Sequence, residues 1–187
     1  LIYCSEDKEL NKLSREKKRC KLIAYSTPSH TIENGTTSVA NTELLIFGNH
    51  NLQNLNAAKI VCNELGVSDQ SFYKKIATFK GASNRLELVR KTDTSATYKD
   101  FAHSPSKLKA TVFAMKKQFA NRELIACMEL HTFSSLNKKF LKQYKNSIND
   151  PDIAIVYFNP EAIAHKNLKP MTKTQVYNAF EREDLLV

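Results

Sequence analysis

The chain has 187 residues, of which 42% are hydrophobic and 25% are charged, and its formal net charge is +9. These values are typical of a globular protein with one large or two small domains. No apolar run reaches the roughly 20 residues of a membrane-spanning helix. The basic balance favours anionic ligands, but the lysines are scattered along predicted helix faces. An arginine-rich tract of the kind that binds nucleic acid is absent.

The four cysteines, Cys4, Cys20, Cys62 and Cys127, are dispersed. No pair has the spacing of metal ligands or of a disulfide framework, and most lie in apolar runs where cysteine packs as a small hydrophobe. We therefore expect a reducing, cytoplasmic location. Residues 1–4 show neither an initiator Met nor a signal-peptide layout, so we expect the chain to be a piece of a longer protein.

The first half of the chain is predicted to alternate short strands and helices. We predict strands at 1–4, 21–25 and 44–47, helices at 6–18, 51–65 and 68–77, and a polar, turn-rich stretch at 27–41. Helix 51–65 presents one apolar face, formed by Leu55, Ala58, Val61, Cys62 and Leu65. Ser68 is predicted to cap the third helix. The small polar stretch 79–84, which contains Gly81, is predicted to join two domains, 1–80 and 81–187.

The second half alternates strands and helices more regularly. We predict strands at 86–90, 96–101, 124–130 and 153–158, helices at 105–119, 137–144 and 172–180, and a further strand beginning at 185–187. The continuous apolar run 124–130 is typical of a strand buried on both faces. This alternation predicts an α/β fold with a mostly parallel sheet, in which ligands collect at the carboxyl ends of the strands.

A first candidate site lies where strand 44–47 ends. The Gly48 turn is followed by His50, Asn51 and Asn54, and the two asparagines lie three residues apart on one predicted helix face. An amide offers both donors and an acceptor, so this pair suits the edge of a heterocycle such as adenine. Asparagine is also common at helix starts, and a capped helix with a polar face explains the same residues.

A second candidate site lies between strand 96–101 and helix 105–119. Asp100, His103 and Ser104 precede Pro105 in a loop at a helix N-terminus, which favours anions. Asp100 could accept hydrogen bonds from ribose hydroxyls. A turn residue, a surface histidine and an N-cap serine are the alternative explanation. Arg85 is suited to phosphate by its chemistry, although a lone arginine near a domain joint also fits a surface ion pair.

Together these stretches resemble the Mur ligases of peptidoglycan precursor synthesis. That family carries G-x-H-N-x-x-N-x-x-A-A, F-x-G-x-x-x-R-x-E and D-[YF]-[AG]-H-x-P stretches in this order. The chain has them at 48–58, 79–87 and 100–105. A weaker fourth similarity, to the P-H-x-Y-S-R stretch of the alanine-adding branch, lies at 130–135. The resemblance covers nearly the whole chain.

The resemblance implies the tail of a central ATPase domain followed by a Rossmann-like C-terminal domain. The phosphate loop G-x-x-G-K-[ST] of the family is missing, since no Gly-Lys pair occurs. ATP and Mg²⁺ are therefore implied as cofactors whose phosphate and metal ligands lie mainly outside this chain, and we expect the chain alone to be inactive. In the family, ATP phosphorylates a substrate carboxylate, and the amine of an amino acid or peptide attacks the acyl phosphate.

Carried over by motif, the resemblance also implies residue roles on the nucleotide. His50, Asn51 and Asn54 would border the adenine. Arg85 would approach the phosphates or ribose as a catalytic residue, and Asp100 would hold the ribose. Closure of the C-terminal domain would bring Arg85 and Asp100 to the nucleotide.

The implied substrates are UDP-N-acetylmuramate and an amine acceptor. His103, as a second catalytic residue, would face the acceptor together with Ser104 and His131. Nucleic acid, membrane and obligate protein partners are not implied.

Departures from the family pattern bear on the acceptor. The alanine-adding branch has arginines where this chain has Thr132 and Ser135. Their loss favours the murein tripeptide ligase branch, whose acceptor is L-Ala-D-Glu-diaminopimelate, over free L-alanine. The diaminopimelate-adding motif D-N-P-R is absent. A folylpolyglutamate synthase-like ligase, which shares a D-x-A-H-N-P stretch, and a non-catalytic nucleotide- or nucleic-acid-binding module stay open as alternatives.

Overall fold

The computed structural model describes residues 1–16 and 20–187. The chain divides into two compact units, unit 1 (Leu1–Ser83) and unit 2 (Asn84–Val187). The predicted helix 6–18 begins later, at Lys8, and its last two predicted residues lie outside the described part. No helix in the described ranges is long and apolar enough to cross a membrane.

Unit 1 combines two small sheets with three helices. In chain order its described elements are β1 (Ile2–Cys4), α1 (Lys8–Glu16), β2 (Ile23–Tyr25), β3 (Thr31–Glu33), β4 (Thr36–Val39), β5 (Thr42–Leu44), α2 (Asn49–Glu64) and α3 (Asp69–Ile76). Strands β1 and β2 pair in parallel, with Tyr3 opposite Ala24. Strands β3, β4 and β5 form an antiparallel meander. As predicted, Ser68 caps α3 by accepting the Ser71 N–H.

The antiparallel meander occupies the stretch that was predicted as turns. Asn34 and Gly35 both have positive φ, 50° and 75°, and connect β3 to β4. An Asn-Gly pair in this conformation is the preferred two-residue hairpin turn. Ala40 and Asn41, with φ of 47° and 61°, make the second turn. The Asn-Gly pair was the sequence signal for this sheet, but the short strands lack strong apolar alternation.

Helix α2 is buried along its first turns, whereas its predicted apolar face extends to Leu65. Leu52 and Leu55 are buried in the core of unit 1, together with Phe72 of α3. Val61 is 45% exposed and Leu65 78% exposed, so the prediction that both face inward is wrong. The small core of unit 1 lies against the first turns of α2, and only Cys62 among the later predicted residues packs against it.

Unit 2 has the predicted α/β organisation. In chain order its described elements are β6 (Glu87–Lys91), β7 (Ala96–Lys99), α4 (Pro105–Gln118), β8 (Ile125–Glu129), α5 (Lys138–Leu141), a 3-10 turn (Lys142–Tyr144), β9 (Ile153–Tyr157), α6 (Pro160–His165) and α7 (Lys173–Phe180). Strands β8 and β9 pair in parallel. Leu186 extends this parallel pairing beside Ile155. Strands β6 and β7 form a separate antiparallel hairpin.

Strand β8 is not buried on both faces, contrary to the expectation from its apolar run. Met128 is 6% exposed, whereas Ile125 is 57% exposed and Cys127 and Glu129 are also exposed. Alternate residues of a strand point to opposite faces, so one whole face of β8 is uncovered. The thiol of Cys127 is therefore on this open face and not in the core.

The core of unit 2 contains an aromatic pair. Tyr144 and Phe180 are both fully buried, and their rings stack with centroids 5.1 Å apart. Val176 of α7 and Val156 of β9 are buried in the same cluster. This core joins α7, the 3-10 turn and the parallel strands, so it fixes the loops that leave the carboxyl ends of β8 and β9.

Candidate functional site

The predicted adenine-side residues lie in the first two turns of α2. Gly48, with φ of 86°, turns the chain into the helix. The Asn51 amide donates to the Phe47 carbonyl at 2.9 Å, so its NH₂ group closes this turn. Asn54 is exposed, and His50 is half-buried. Asn54 is thus the amide that this helix offers to a ligand.

The neighbouring face of α2 is held to the rest of unit 1. Gln53 donates to the Glu6 carboxylate at 2.8 Å, and Asn56 donates to the Ser26 carbonyl at 2.9 Å. Glu6 also accepts the Thr27 N–H at 2.6 Å, and this bond, the largest cause, holds the pKa of Glu6 below its usual value. These contacts fix the rotation of α2 and therefore the direction of Asn54.

Arg85 is presented by a strained turn at the start of unit 2. It lies between Asn84 and Leu86, which have φ of 55° and 45°. A leucine in this left-handed region costs on the order of 1 kcal/mol or more, and such strain concentrates at functional sites. Arg85 is exposed and makes no ion pair among the described residues.

Asp100 holds this turn in place. Its Oδ2 accepts the Leu86 N–H at 2.8 Å, and the Phe101 N–H donates to the Asn84 carbonyl at 2.9 Å. The carboxylate that was predicted to hold ribose therefore also positions the residue next to Arg85. Asp100 is only half-buried, and its other oxygen makes no hydrogen bond within the described chain. A ligand hydroxyl could donate to it.

Two predicted acceptor-side histidines meet on one phenylalanine. The Phe101 ring centroid lies 4.9 Å from that of His103 and 5.7 Å from that of His131. His103 Nδ1 lies 3.1 Å from the Phe101 carbonyl, and His131 Nδ1 lies 3.2 Å from the Glu129 carbonyl. If each Nδ1–H donates to its carbonyl, each Nε2 is an acceptor. No sequence pattern marked Phe101 as a site residue, although its aromatic side chain lies inside the motif at 100–105.

Ser104 occupies the N-cap position of α4, and Pro105 is the first helical residue, as predicted. The Ser104 side chain makes no capping hydrogen bond. Its hydroxyl is therefore available at the N-terminus of a fourteen-residue helix, beside His103. The N–H groups of that first turn add a partial positive charge.

Thr132 and Ser135 close a tight turn on each other. The Ser135 hydroxyl donates to the Thr132 carbonyl at 3.0 Å and accepts the Thr132 N–H at 3.0 Å. The Ser135 N–H in turn donates to Thr132 Oγ1 at 3.1 Å, and Ser135 is 1% exposed. These two hydroxyl groups are committed to the turn, so they do not replace a cationic anion-binding pair.

A cavity of about 1050 Å³ lies within unit 2 between β7, α4 and the open face of β8. Phe101, His103 and His131 line one part of it, and Arg122 lines another. Arg122 is fixed there by donating to the Thr94 carbonyl of the β6–β7 turn. The cavity is therefore contiguous with the histidine pair, and its volume suits a ligand much larger than a single alanine.

Tyr144, a core residue, supports the loop that carries His103. Its hydroxyl donates to the His103 carbonyl at 2.6 Å, across 41 positions of sequence. Burial raises the pKa of Tyr144 to about 12. No sequence motif marked this residue, because its role depends on contacts that form only in the folded unit.

We expect Tyr144 to make the protein sensitive to alkali. The pKa of the Tyr144 phenol is about 12 in the folded state, against 10.0 for an exposed phenol. The stability that the neutral phenol contributes is therefore fully present below pH 10 and lost by about pH 12. Between about pH 9 and about pH 12, the chain should lose about 2 kcal/mol of unfolding free energy relative to Tyr144→Phe. Urea unfolding at both pH values measures this difference. An equal loss in both proteins would contradict it.

The structure thus brings five of the predicted residues into unit 2, namely Arg85, Asp100, His103, Ser104 and His131. His50, Asn51 and Asn54 form a second group in unit 1. Within the described ranges, no group of three or more His, Cys, Asp or Glu side chains could hold a metal ion.

Comparison with curated proteins finds UDP-N-acetylmuramate–L-alanine ligases among the relatives of this chain. The chain is 34% identical over 144 residues to UDP-N-acetylmuramate–L-alanine ligase of Caldicellulosiruptor bescii, and the match covers 77% of this chain and 31% of the relative. The corresponding ligase of Sulfurihydrogenibium is 35% identical over 113 residues, 60% of this chain and 24% of the relative. The chain spans about a third or less of the curated relatives it matches. No family model matches it.

Solved structures share the fold. UDP-N-acetylmuramate-alanine ligase of Thermotoga maritima superposes with a TM-score of 0.71 at 14% identity, over 99% of this chain and 42% of that one. The folylpolyglutamate synthase of Mycobacterium tuberculosis, solved with ADP, superposes with a TM-score of 0.58 at 14% identity, over 95% and 41%. At these identities the two structures establish the fold alone.

Proposed function

This chain belongs to the Mur ligase family, and we propose that the full-length protein is an ATP-dependent ligase of peptidoglycan precursors. It joins the carboxylate of UDP-N-acetylmuramate to the amine of an L-alanyl acceptor in the cytoplasm. The observation that carries this proposal is the hydrogen bond in unit 2 that the Asp100 carboxylate accepts from the Leu86 N–H. One carboxylate fixes the turn that presents Arg85 and lies next to Phe101, on which His103 and His131 meet.

On the nucleotide side, three residues of this chain have defined tasks. Asn54 offers an exposed amide to the adenine edge, and the free oxygen of Asp100 accepts from a ribose hydroxyl. Arg85 neutralises negative charge that develops during phosphoryl transfer. Bound ATP and Mg²⁺ supply the phosphoryl group that activates the carboxylate and the charge that assists its transfer. Asn51 has a mainly structural task here, because its NH₂ group closes the α2 turn.

On the acceptor side, His103 and Ser104 lie at the N-terminus of α4. An imidazole with a free Nε2 can accept the proton that the amine loses when its nitrogen attacks the activated carbonyl. His131, which also contacts the Phe101 ring, helps to orient the acceptor. The residues therefore serve a bond-forming step in which the amide forms and phosphate leaves.

The acceptor that we propose is the tripeptide L-Ala-D-Glu-diaminopimelate. The Thr132–Ser135 turn supports it, because those hydroxyl groups satisfy each other and supply no cation for the single carboxylate of alanine. The cavity of about 1050 Å³ beside the histidines also supports a peptide-sized acceptor. L-Alanine is the second candidate, and the names of the curated relatives favour it.

An assay of the full-length protein tests these candidates. UDP-N-acetylmuramate and ATP are supplied with the tripeptide, with L-alanine, or with neither, and ADP release and product mass are measured. We expect the higher kcat/KM with the tripeptide. A product with alanine alone would support the second candidate. In a parallel reaction that supplies folate, glutamate and ATP instead, glutamate addition to folate would support a folylpolyglutamate synthase-like ligase. The absence of every product would overturn the proposal.

A further inference from the structure

Lys166 is a cation held on an aromatic ring near the acceptor-side residues. Its Nζ lies 4.6 Å from the centroid of the Phe133 ring. Phe133 is 62% exposed, and Lys166 makes no ion pair in the described part of the chain. A lysine in this position keeps its charge available while the ring limits its motion.

The topology connects this lysine to the histidine pair. Phe133 belongs to the loop that leaves the carboxyl end of β8, two residues after His131. Lys166 is the C-cap residue of α6, and α6 follows the carboxyl end of β9. Because β8 and β9 are parallel neighbours, both segments lie at the edge where ligands of such sheets bind.

The backbone around Lys166 is well fixed. Ile163 is 3% exposed in the core of unit 2, and Leu168 packs against the same core. The Lys166 N–H donates to the Ala162 carbonyl, and Asn167, with φ of 53°, follows in the left-handed conformation. The partial negative charge of the α6 C-terminus also favours a cation at this position. The backbone that carries the Lys166 side chain is thus fixed by its contacts with the core of unit 2.

The loop that follows β8 contains no permanently charged cation of its own. Residues 130–136 read Leu-His-Thr-Phe-Ser-Ser-Leu, without lysine or arginine. The hydroxyls of Thr132 and Ser135 are occupied by their own turn. A carboxylate that reaches this loop therefore meets Lys166 as its charged donor.

We propose that Lys166 binds a carboxylate of the acceptor peptide beyond the reacting alanyl residue, and so selects a peptide over free alanine. This inference rests on the proposed ligase function and names the specificity residue of its acceptor site. The D-glutamyl and diaminopimelyl residues of the tripeptide carry the carboxylates that an alanine lacks. An ammonium on a rotatable stem suits carboxylates in more than one position.

Lys166→Ala in the full-length protein tests this inference. We expect KM for L-Ala-D-Glu-diaminopimelate to rise about tenfold, as for loss of one charge-assisted contact, while KM for ATP stays within about twofold. Lys166→Arg keeps the charge and the aromatic contact, so it should retain most of the tripeptide affinity. Use of L-alanine at high concentration should be the same in all three proteins.

Lys169→Ala is the matched control, because it removes an exposed lysine three residues away. We expect it to behave as the wild type. An unchanged tripeptide KM in Lys166→Ala, or an equal rise in Lys169→Ala, would overturn the role of Lys166 and leave the ligase function standing. A wild-type protein that uses alanine but no peptide would also overturn it. If the wild type joins no acceptor at all, the proposed function fails and this inference fails with it.

Discussion

Asp100→Ala is expected to raise the KM for ATP of the full-length protein by about tenfold or more. The substitution removes the oxygen that we assign to the ribose and leaves the Leu86 N–H without the acceptor that it has at 2.8 Å. Loss of a charge-assisted hydrogen bond costs about 1.5–3 kcal/mol, and each 1.4 kcal/mol is a tenfold change in affinity. Release of the strained turn also misplaces Arg85, so kcat should fall as well. Steady-state kinetics with varied ATP measures both effects.

Two further variants separate ligand binding from the structural role of Asp100. Asp100→Asn keeps an oxygen that can accept the Leu86 N–H but loses the charge, so it should raise KM for ATP with a smaller loss of kcat. Asp93→Ala removes an exposed carboxylate from the β6–β7 turn, at the opposite end of the hairpin from Asp100, and should have no effect. If Asp100→Ala leaves KM for ATP unchanged, Asp100 does not belong to the nucleotide site.

Phe180→Ala is expected to lower the unfolding free energy of unit 2 by about 3–5 kcal/mol, because the ring is fully buried and the unit must keep part of the resulting cavity. The ring also stacks on Tyr144, which holds the His103 carbonyl. The loss of packing should therefore also destabilise the loop that carries His103. Hydrogen exchange of the β8 and β9 amides, measured in the 187-residue chain, reports the change.

Phe133→Ala provides the comparison, since this ring is 62% exposed and its truncation should cost less than about 1 kcal/mol. Equal exchange rates in Phe180→Ala and the wild type would contradict the central role of the Tyr144–Phe180 pair in unit 2. Faster exchange confined to α7 would show that the core tolerates the loss locally.

Sequence patterns predicted the helices and strands of unit 2 well where local signals were strong. The apolar runs identified β8 and β9, and Ser104-Pro105 marked the start of α4. The six-residue helix α6 was missed, although Asn159-Pro160 is a helix-start signal and the Asn159 side chain does cap it. Short helices carry too few residues for an apolar period to be recognised.

Burial was harder to predict than secondary structure. The apolar run of β8 indicated cover on both faces, yet Ile125 and Cys127 are exposed because the β6–β7 hairpin does not pair with β8. Likewise, Leu65 continues the apolar face of α2 beyond the small core of unit 1. Periodicity describes which residues share a face, whereas burial depends on how far the neighbouring elements extend.

Sequence motifs proposed a set of residues for the candidate site but contained no information on their geometry. The ordered motifs together indicated four of these residues, namely Arg85, Asp100, His103 and His131. The contacts that organise them, from Phe101, Leu86 and Tyr144, come from tertiary structure that no local pattern contains. The same holds for Lys166, which meets Phe133 across 33 positions of the chain.

We propose that this chain forms part of a ligase that activates a carboxylate as an acyl phosphate. Its most direct test supplies the full-length protein with UDP-N-acetylmuramate labelled with ¹⁸O in the carboxylate, together with ATP and the tripeptide acceptor. One carboxylate oxygen should bond to the transferred phosphorus and leave with it when the amine attacks. Mass spectrometry of the released inorganic phosphate should therefore find one ¹⁸O atom for each amide formed. Unlabelled phosphate accompanying amide formation would contradict the claim.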